Sequence, residues 1–341
     1  MLGYSVKQIV MNFTPEIMLQ KLTILTTLGS GSYSTVFHAI YQKNDVVAKK
    51  FTNSDEKSLE KINREATLLV GMLNFPIFLQ FSAIINCQGS RFILTQHHGS
   101  PLDLGQKFTR IQLKSIFFQL FYAISILNVL KLTHRDVKPE NILLSRHVCP
   151  CLIDFGLMLP VTKNRQKAGT KQYQSPENFA IGISHQNSDV YSLGIIFCNI
   201  ALKSKIALSS SKLDQLKRFK QILGEEFSQF YRQNVILTDE EIAILGVEKQ
   251  IAVQQRVAKC KDFTHLTPES ISMISLLLVC DPEKRISAIE ALNLEYFDEV
   301  RSEYSQLKYI NGNRGKVELD QNRIIQDFKA NFEGFKGDII V

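Results

Sequence analysis

The chain has 341 residues, of which 45% are hydrophobic and 21% are charged, and its 40 Lys and Arg against 33 Asp and Glu give a formal net charge of +7. This is the composition of an ordinary globular chain, long enough to bury one large core or two smaller ones, and it excludes a disordered acidic tail protein. The excess positive charge is modest and forms no compact basic block with interleaved aromatic residues, so we expect no nucleic-acid binding.

Cysteine spacing and hydropathy give expectations about the compartment. The six cysteines are scattered, and the one close pair, Cys149 and Cys151, has no second Cys/His pair at zinc-ligand spacing, so we expect reduced intracellular thiols and no zinc site. The most apolar stretch, residues 116–130, is broken by polar residues, and residues 1–20 lack the pattern of a signal peptide. We therefore expect a cytosolic or nuclear chain with no membrane partner.

The N-terminal part has the pattern of a β-sheet with one helix inserted. Stretches rich in β-branched and aromatic residues are separated by Gly/Ser or Lys-Asn-Asp turn signals, which predicts antiparallel hairpins. Leu59, Ile62, Ala66 and Leu69 lie on one face of the predicted helix. The predicted strands are 22–28, 35–41, 46–51, 77–85 and 91–95, and the predicted helix is 58–72.

After Pro101 the periodicity is helical, which predicts an α+β fold with a boundary near residue 99. Beyond residue 297 the chain turns polar, and then Ile324, Phe328 and Phe332 recur at i, i+4 and i+8. We favour a tail helix docked on its own domain over a partner-binding helix. The predicted helices of this part are 113–130, 189–202, 213–223, 268–278 and 288–294.

The first motif that suggests chemistry is a glycine-containing turn between two predicted strands. Its glycines let the backbone approach phosphates closely. Alone the motif is weak, because small-residue hairpins are common and Ser34 replaces the third glycine of the usual G-x-G-x-x-G pattern. A strand rather than a helix follows, which argues against a dinucleotide-binding fold. The candidate nucleotide-binding residues are Leu28, Gly29, Ser30, Gly31, Ser32, Tyr33, Ser34, Thr35 and Val36.

The next strand contains Val47-Ala48-Lys49-Lys50. Because side chains alternate along a strand, Ala48 and Lys50 share one face and Lys49 points to the other. A small residue two positions before a lysine leaves room for a flat base beside an ammonium group that reaches phosphate, so we expect Ala48 and Lys50 to contact the nucleotide. The alternative is that these are two solvated surface lysines.

The strongest signal is an ordered series of motifs. It comprises His134-Arg135-Asp136-Val137-Lys138-Pro139-Glu140-Asn141, Asp154-Phe155-Gly156, Gly169-Thr170, Ser175-Pro176-Glu177 and Asp189. Over roughly residues 22–297 the chain resembles the eukaryotic protein kinases. The resemblance implies a bilobal fold, with a small lobe of five antiparallel strands and one helix (22–98) above a mainly helical lobe (99–298). Residues 1–21 form an N-terminal extension and residues 299–341 a C-terminal tail in this division.

The resemblance also implies roles for the residues of these motifs, with ATP and Mg²⁺ as cofactors. Asp136 is the expected base for the substrate hydroxyl, and Lys138 is expected to contact the transferring phosphoryl group. Lysine at that position is the pattern of serine/threonine kinases. Asn141 and Asp154 are the expected ligands of two Mg²⁺ ions.

Other implied roles concern the nucleotide site. Lys50 is expected to bind the α- and β-phosphates and to pair with Glu65, with Glu60 as the alternative. The adenine-binding hinge is expected within residues 95–98, with Thr95 and His98 as contacts. His97 and His98 are expected to be hinge residues rather than metal ligands. Whether Leu94 or Thr95 is the gatekeeper residue stays open.

Three structural roles follow from the same resemblance. A stack of His134, Phe155 and Leu69 is expected to link the lobes. Asp189 is expected to anchor the catalytic loop, and Glu177 and Arg285 are expected to form a buried ion pair.

Two further features of the sequence concern regulation and subfamily. Residues 163–169 contain no hydroxyl side chain, which leaves Thr162 as the early candidate for an activating phosphate, and we expect activation by a regulatory subunit or constitutive activity instead. Resemblance to the cyclin-dependent kinases and their CMGC relatives is carried by residues 192–197, 214–216, 222–224 and 281–288. Resemblance to the cell-division-cycle kinase that fires replication origins is carried by Ser34 and residues 167–170. We expect a monomeric catalytic chain that acts on protein substrates. The alternatives are a pseudokinase that binds ATP without efficient catalysis and a small-molecule phosphotransferase.

Overall fold

The structure is a computed structural model, and it describes residues 10–12, 16–17, 22–31, 34–51, 56–87, 90–161, 167–201, 211–246, 267–313, 316–333 and 338–340. The described residues form a β-rich upper lobe and a mainly helical lower lobe, which confirms the predicted α+β, bilobal fold. The upper-lobe strands are β1 (Val10–Asn12), β2 (Glu16–Ile17), β3 (Thr23–Ser30), β4 (Ser34–Tyr41), β5 (Asn44–Phe51), β6 (Phe81–Cys87) and β7 (Ser90–Gln96).

The main sheet has six strands in the order β2-β6-β7-β5-β4-β3. Strands β3 to β7 are antiparallel neighbours, as predicted, whereas β2 adds a sixth strand parallel to β6. The predicted N-terminal extension therefore contributes to the sheet. Two residues are too short a run for hydrophobic alternation to reveal a strand.

Strand β3 forms one edge of this sheet, and its pairing with β4 is irregular. The register shifts twice, between Ile24 and Thr26 and again between Thr27 and Gly29. Its apolar residues Ile24, Leu25 and Leu28 are exposed. The strand is therefore bound to the sheet through a ladder that is interrupted at two points.

Helix α1 (Glu56–Gly71) crosses one face of the sheet. Ile62, Ala66 and Leu69 are buried, so the predicted apolar face is the packed face. The predicted strand 77–85 begins only at Phe81, because the backbone before it pairs with the lower lobe instead: Leu79 N donates to Leu152 O at 3.2 Å, and Leu152 N donates to Ile77 O at 2.9 Å.

The lower lobe is built around a long buried helix, α2 (Arg110–Val129), which begins at a capping box formed by Thr109 and Gln112. By length and composition α2 could cross a membrane, but 67% of its apolar window is buried inside the protein. The other helices are α3 (Pro176–Ile181), α4 (Ser188–Ala201), α5 (Lys212–Leu223), α6 (Glu225–Asn234), α7 (Asp239–Leu245), α8 (Pro268–Leu277), α9 (Ala288–Ala291), α10 (Asp298–Arg301) and α11 (Gln321–Glu333).

Short strands in the lower lobe hold the two loops that carry the main motifs. The remaining strands are β8 (Ser100–Pro101), β9 (Leu132–Thr133), β10 (Ile142–Leu144), β11 (Pro150–Leu152), β12 (Leu159–Pro160), β13 (Ile310–Asn313), β14 (Lys316–Leu319) and β15 (Asp338–Ile340). Strand β10 pairs with β11, and β9 pairs with β12. The loop 134–141 runs from β9 to β10 and the loop 153–158 runs from β11 to β12, so the two loops lie side by side.

The C-terminal tail returns to the upper lobe. Strands β13 and β14 form a hairpin, and α11 then packs against both α1 and α2. Ile324, Phe328 and Phe332 are all buried, so this apolar face of α11 packs against the rest of the chain. Strand β15 pairs with β1, and β1 lies against α1.

Candidate active site

The loop 134–141 places Asp136 at the centre of a hydrogen-bonded group. Asn141 Nδ2 donates to the Asp136 carbonyl oxygen at 2.8 Å and to its Oδ2 at 3.2 Å, and Thr170 N donates to Oδ1 at 2.7 Å. Lys138 Nζ lies 2.9 Å from Asp136 Oδ2 and donates to Thr170 Oγ1 at 3.0 Å. The carboxylate is therefore fixed in orientation, and an ammonium group lies beside it.

The backbone before Asp136 is held from the lower lobe. Asp189, at the start of α4, accepts from His134 N at 2.7 Å and from Arg135 N at 3.0 Å, as predicted. Arg135 has φ of 72°, a conformation that costs free energy for a residue with a side chain. The two bonds to a buried carboxylate hold the loop in this conformation.

The second loop turns Asp154 toward the upper lobe. Asp154 is in the left-handed region, with φ of 65° and ψ of 80°, and its Oδ1 accepts from Lys49 Nζ at 2.9 Å. Burial alone would raise the pKa of Asp154, but the charge of Lys49 outweighs it and holds the pKa below its ordinary value. The neighbouring Phe155 ring packs edge-on against His134 and against Phe78.

The upper-lobe lysine of the site is Lys49. The prediction that Lys50 pairs with Glu65 is therefore wrong. Lys49 Nζ lies 2.6 Å from Glu65 Oε1 on α1, so Glu65, rather than the exposed Glu60, is the partner. Burial lowers the pKa of Lys49, but the two carboxylates outweigh this effect and raise it. Lys49 therefore stays charged between Glu65 and Asp154.

Strand register explains why Lys49 faces the cleft. Lys49 lies opposite Val36 on β4 and opposite Ile93 on β7, and residues directly opposite each other in antiparallel strands share one face. The hairpin between β4 and β5 turns at Gln42 and Lys43, which both have positive φ. A turn of two residues sets the register of every pair behind it.

The same register corrects the assignment of Ala48. Ala48 is fully buried on the opposite face of the sheet, where it pairs with Leu94. Val47 takes its place on the cleft face, opposite Thr95. Thr95 is thus the residue of the Leu94/Thr95 pair that faces the cleft, and Val47 is a cleft-facing residue that the sequence argument missed. The two-residue turn at residues 42–43 sets the register of β5, and it was the sequence signal that could have placed Val47 on the cleft face.

The glycine-containing turn lies at the end of the β3–β4 hairpin. Gly29 pairs with Val36 and Ser30 with Thr35, and Gly31 N donates to Ser34 O at 2.9 Å. Leu28 is exposed on β3. Ser32 and Tyr33, at the tip, lie outside the described residues.

The connection between the lobes follows β7. His98 Nε2 lies 3.3 Å from the carbonyl oxygen of Cys149, and the His97 ring lies 5.3 Å from that of His38. Among the residues that the structure describes, no three His, Cys, Asp or Glu side chains form a group that could hold a metal ion. His97 and His98 lie between β7 and β8, where the hinge is expected.

The segment from Asp154 to Glu177 is anchored at its far end by a buried ion pair. Arg285 donates to both carboxylate oxygens of Glu177, at 2.9 Å and 2.8 Å, as predicted. Gln174 Nε2 donates to Ala168 O at 2.8 Å. Gly169 has φ of 85°, and a Cβ there would lie 2.1 Å from Arg135 O. Thr162, the candidate for an activating phosphate, lies outside the described residues.

Two oxygen donors in the cleft fit a hard cation. The hydrogen bonds of Asn141 are made by its amide nitrogen, and within the described part of the chain its Oδ1 accepts none. Asp154 is held to Lys49 through Oδ1, which leaves Oδ2 without a described partner. Carboxylate and amide oxygens are the ligands that Mg²⁺ prefers, so Asn141 and Asp154 fit the predicted metal.

Comparison with known proteins agrees with this geometry. The protein kinase domain model matches residues 22–297. Over 291 aligned residues the chain is 27% identical to cyclin-dependent kinase C-2 C of Arabidopsis thaliana. The alignment covers 80% of this chain and 44% of that protein. The chain therefore spans less than half the length of this relative, which lies on the predicted cyclin-dependent side. By the match of its family model over most of its length, the chain belongs to the protein kinase family.

Proposed function

We propose that this chain is an active kinase that transfers the γ-phosphoryl group of ATP to serine or threonine hydroxyls of proteins. The observation that carries the proposal is the group formed by Asp136, Lys138 and Thr170. The Thr170 backbone N–H orients the Asp136 carboxylate at 2.7 Å, and the Lys138 ammonium lies 2.9 Å from that carboxylate and 3.0 Å from the Thr170 hydroxyl. A pseudokinase would not require this arrangement to be complete.

Each residue has a defined part in such a transfer. Asp136 would orient the substrate hydroxyl and accept its proton, and Lys138 would neutralise charge on the phosphoryl group in flight. Lys49, held by Glu65, would bind the α- and β-phosphates. Asn141 and Asp154 would hold Mg²⁺, which when bound neutralises phosphate charge. Phosphoryl transfer depends mainly on positioning and charge, which these contacts supply.

The preference for serine and threonine is supported by Lys138 and by the cyclin-dependent relative. That relative's name also supports a cyclin-like regulatory partner for this chain. The short segment 163–169, which lacks hydroxyl side chains, supports activation without phosphorylation there. Mass spectrometry of the active protein, with Thr162→Ala as a variant, tests that point: phosphate on Thr162 and loss of activity in the variant would contradict it.

The decisive experiment is phosphate transfer from radiolabelled ATP with Mg²⁺ to a mixed protein substrate. The wild type is compared with Asp136→Asn and with Glu318→Gln, a matched carboxylate-to-amide change on the exposed face of β14. We expect labelled phosphoserine and phosphothreonine from the wild type and Glu318→Gln, and none from Asp136→Asn. A wild type that binds ATP but labels nothing would favour the pseudokinase. Label on small molecules alone would favour a small-molecule phosphotransferase.

A further inference from the structure

We propose that the tail helix α11 is a positioning element for catalysis, which holds α1 so that Glu65 meets Lys49. This proposal rests on the proposed function, because positioning matters only if the site transfers phosphate. The tail lies outside residues 22–297, which the family model matches. Its role is therefore a property of this chain's own C-terminal segment.

The first support is a side chain that caps α1 from the tail. Gly71 is the last residue of α1, and its carbonyl oxygen belongs to the final turn, whose carbonyls have no partner within a helix. Asn331 of α11 donates from Nδ2 to this oxygen at 2.8 Å. Asn331 also accepts from Asn74 Nδ2 at 2.6 Å, so one tail side chain bonds both the end of α1 and the loop that follows it.

The second support is aromatic packing that requires a glycine in α1. A Cβ at Gly71 would lie 2.4 Å from Phe328 Cε2 and 3.0 Å from Phe332 Cζ. The two rings are buried and pack edge-on, 5.3 Å apart. The missing side chain therefore creates the space in which the tail rings contact the α1 backbone.

The third support is that the tail is itself anchored to the lower lobe. The Tyr309 hydroxyl lies 2.7 Å from Asp327 Oδ2 of α11 and 3.2 Å from Asn74 O. Val317 N on β14 donates to Asn293 Oδ1 of the lower lobe at 2.7 Å, and α11 packs against α2. The tail thus connects α1 to the lobe that carries Asp136.

Helix α1 links the tail to the active site, because it carries both Gly71 and Glu65. Glu65 lies six residues before Gly71 on α1, about 9 Å along the helix axis. A helix moves as a rigid rod over that distance, so a shift at its C-terminal end moves Glu65 relative to Lys49. Arg64, next to Glu65, also donates to Gly156 O at 3.1 Å, so α1 is coupled to the loop of Asp154 as well.

The test compares Phe328→Ala with Gln326→Ala, a matched change at an exposed position of α11. We expect Phe328→Ala to lower kcat/KM for ATP about five- to tenfold and to speed amide hydrogen exchange in residues 58–71, while Gln326→Ala changes neither. In a Glu65→Gln background the same Phe328→Ala change should lower the residual activity less than about twofold, because the contact that the tail positions is already lost. An equal loss in both backgrounds would show a merely structural role and would overturn the proposal.

A second variant covers the case in which Phe328→Ala lowers overall stability. Gly71→Ala keeps every tail residue and favours the helix, but its Cβ occupies the space of the Phe328 ring. We expect it to reproduce the loss of activity and the faster exchange, and Phe328→Leu in the Gly71→Ala protein to recover part of both. Unchanged activity and exchange in Gly71→Ala would overturn the proposal.

The exchange measurement separates this proposal from the proposed function. If the wild type and Asp136→Asn are equally inactive, the proposed function fails and positioning for catalysis fails with it, even where exchange shows that α11 orders α1. If the wild type is active and Phe328→Ala matches Gln326→Ala in both measurements, only the proposal about the tail fails.

Discussion

The lower half of the site comes from one short stretch of chain, whereas the upper half is assembled from separate elements. Asp136, Lys138 and Asn141 lie within six residues of each other and bond among themselves. Lys49 and Glu65 lie on a strand and a helix, and they meet only because the sheet has one register and α1 one position. The comparison shows that local sequence determines the first half, and distant packing determines the second.

The sharpest test of this difference is a pair of neighbouring lysines. Lys49→Met removes the ammonium group between Glu65 and Asp154 and should lower kcat/KM by about 10²–10³-fold. Lys50→Met removes the same group from the other face of β5 and should change it by less than about threefold. Steady-state kinetics with ATP checks both. Comparable losses in the two variants would contradict the register described for β5.

The contact between the two motif loops predicts the next largest effect. Gly169→Ala places a Cβ 2.1 Å from Arg135 O and requires an unfavourable positive φ, so the segment must move away from Asp136. Because displacement of about 1 Å can cost 10²-fold in rate, we expect about that loss of kcat. Gly105→Ala, at a position without a positive φ where the Cβ would lie 3.3 Å from the exposed carboxylate of Asp103, is the control. Equal activity of the two variants would refute the assigned contact.

The buried Glu177–Arg285 pair should act on stability. Arg285→Ala leaves a buried carboxylate without its partner and should lower the free energy of unfolding by about 3–5 kcal/mol. Thermal or urea unfolding measures this change. Lys284→Ala, at the exposed neighbouring position, should change stability by less than about 0.5 kcal/mol. Unchanged thermal stability in Arg285→Ala would refute the predicted role of the pair.

The same pair predicts a pH dependence with a definite sign. Burial raises the pKa of Glu177, but Arg285 outweighs it and holds the pKa below the ordinary value of 4.5. The ionised pair therefore contributes fully above the unfolded-state pKa and is lost as the pH falls through the folded-state pKa. The stability difference between the wild type and Glu177→Gln should be constant from about pH 6 upward and shrink on acidification below the unfolded-state value. A difference that grows on acidification would contradict this sign.

The smallest expected effect is at the start of α2, far from the site. Thr109 accepts from Gln112 N at 3.2 Å, and Thr109→Ala should lower stability by about 1 kcal/mol. Kinetic constants should not change, because the capping box bonds neither loop of the site. Denaturant unfolding and a kinase assay on one preparation check both statements, and a kinetic change at full stability would contradict them.

Sequence reasoning predicted the lower half of the site well because its residues share one octapeptide. Alternation along β5 shows that Lys49 and Lys50 lie on opposite faces of the sheet, but it does not say which face lines the cleft. Assigning the wrong face moves every side chain of the strand to the other side. In the tail, periodicity predicted that Phe328 and Phe332 are buried. Periodicity could not predict that these rings pack against α1, because an amphipathic pattern identifies the buried face of a helix but not the surface on which that face packs.

The irregular pairing of β3 has a consequence for how this protein behaves in concentrated solution. A regular edge strand presents a straight row of free amides and carbonyls, to which a second molecule can add a strand. The exposed Ile24, Leu25 and Leu28 would strengthen such an association. The two register shifts kink the strand and increase its local twist, so they deprive an incoming strand of a continuous template and oppose aggregation through this edge.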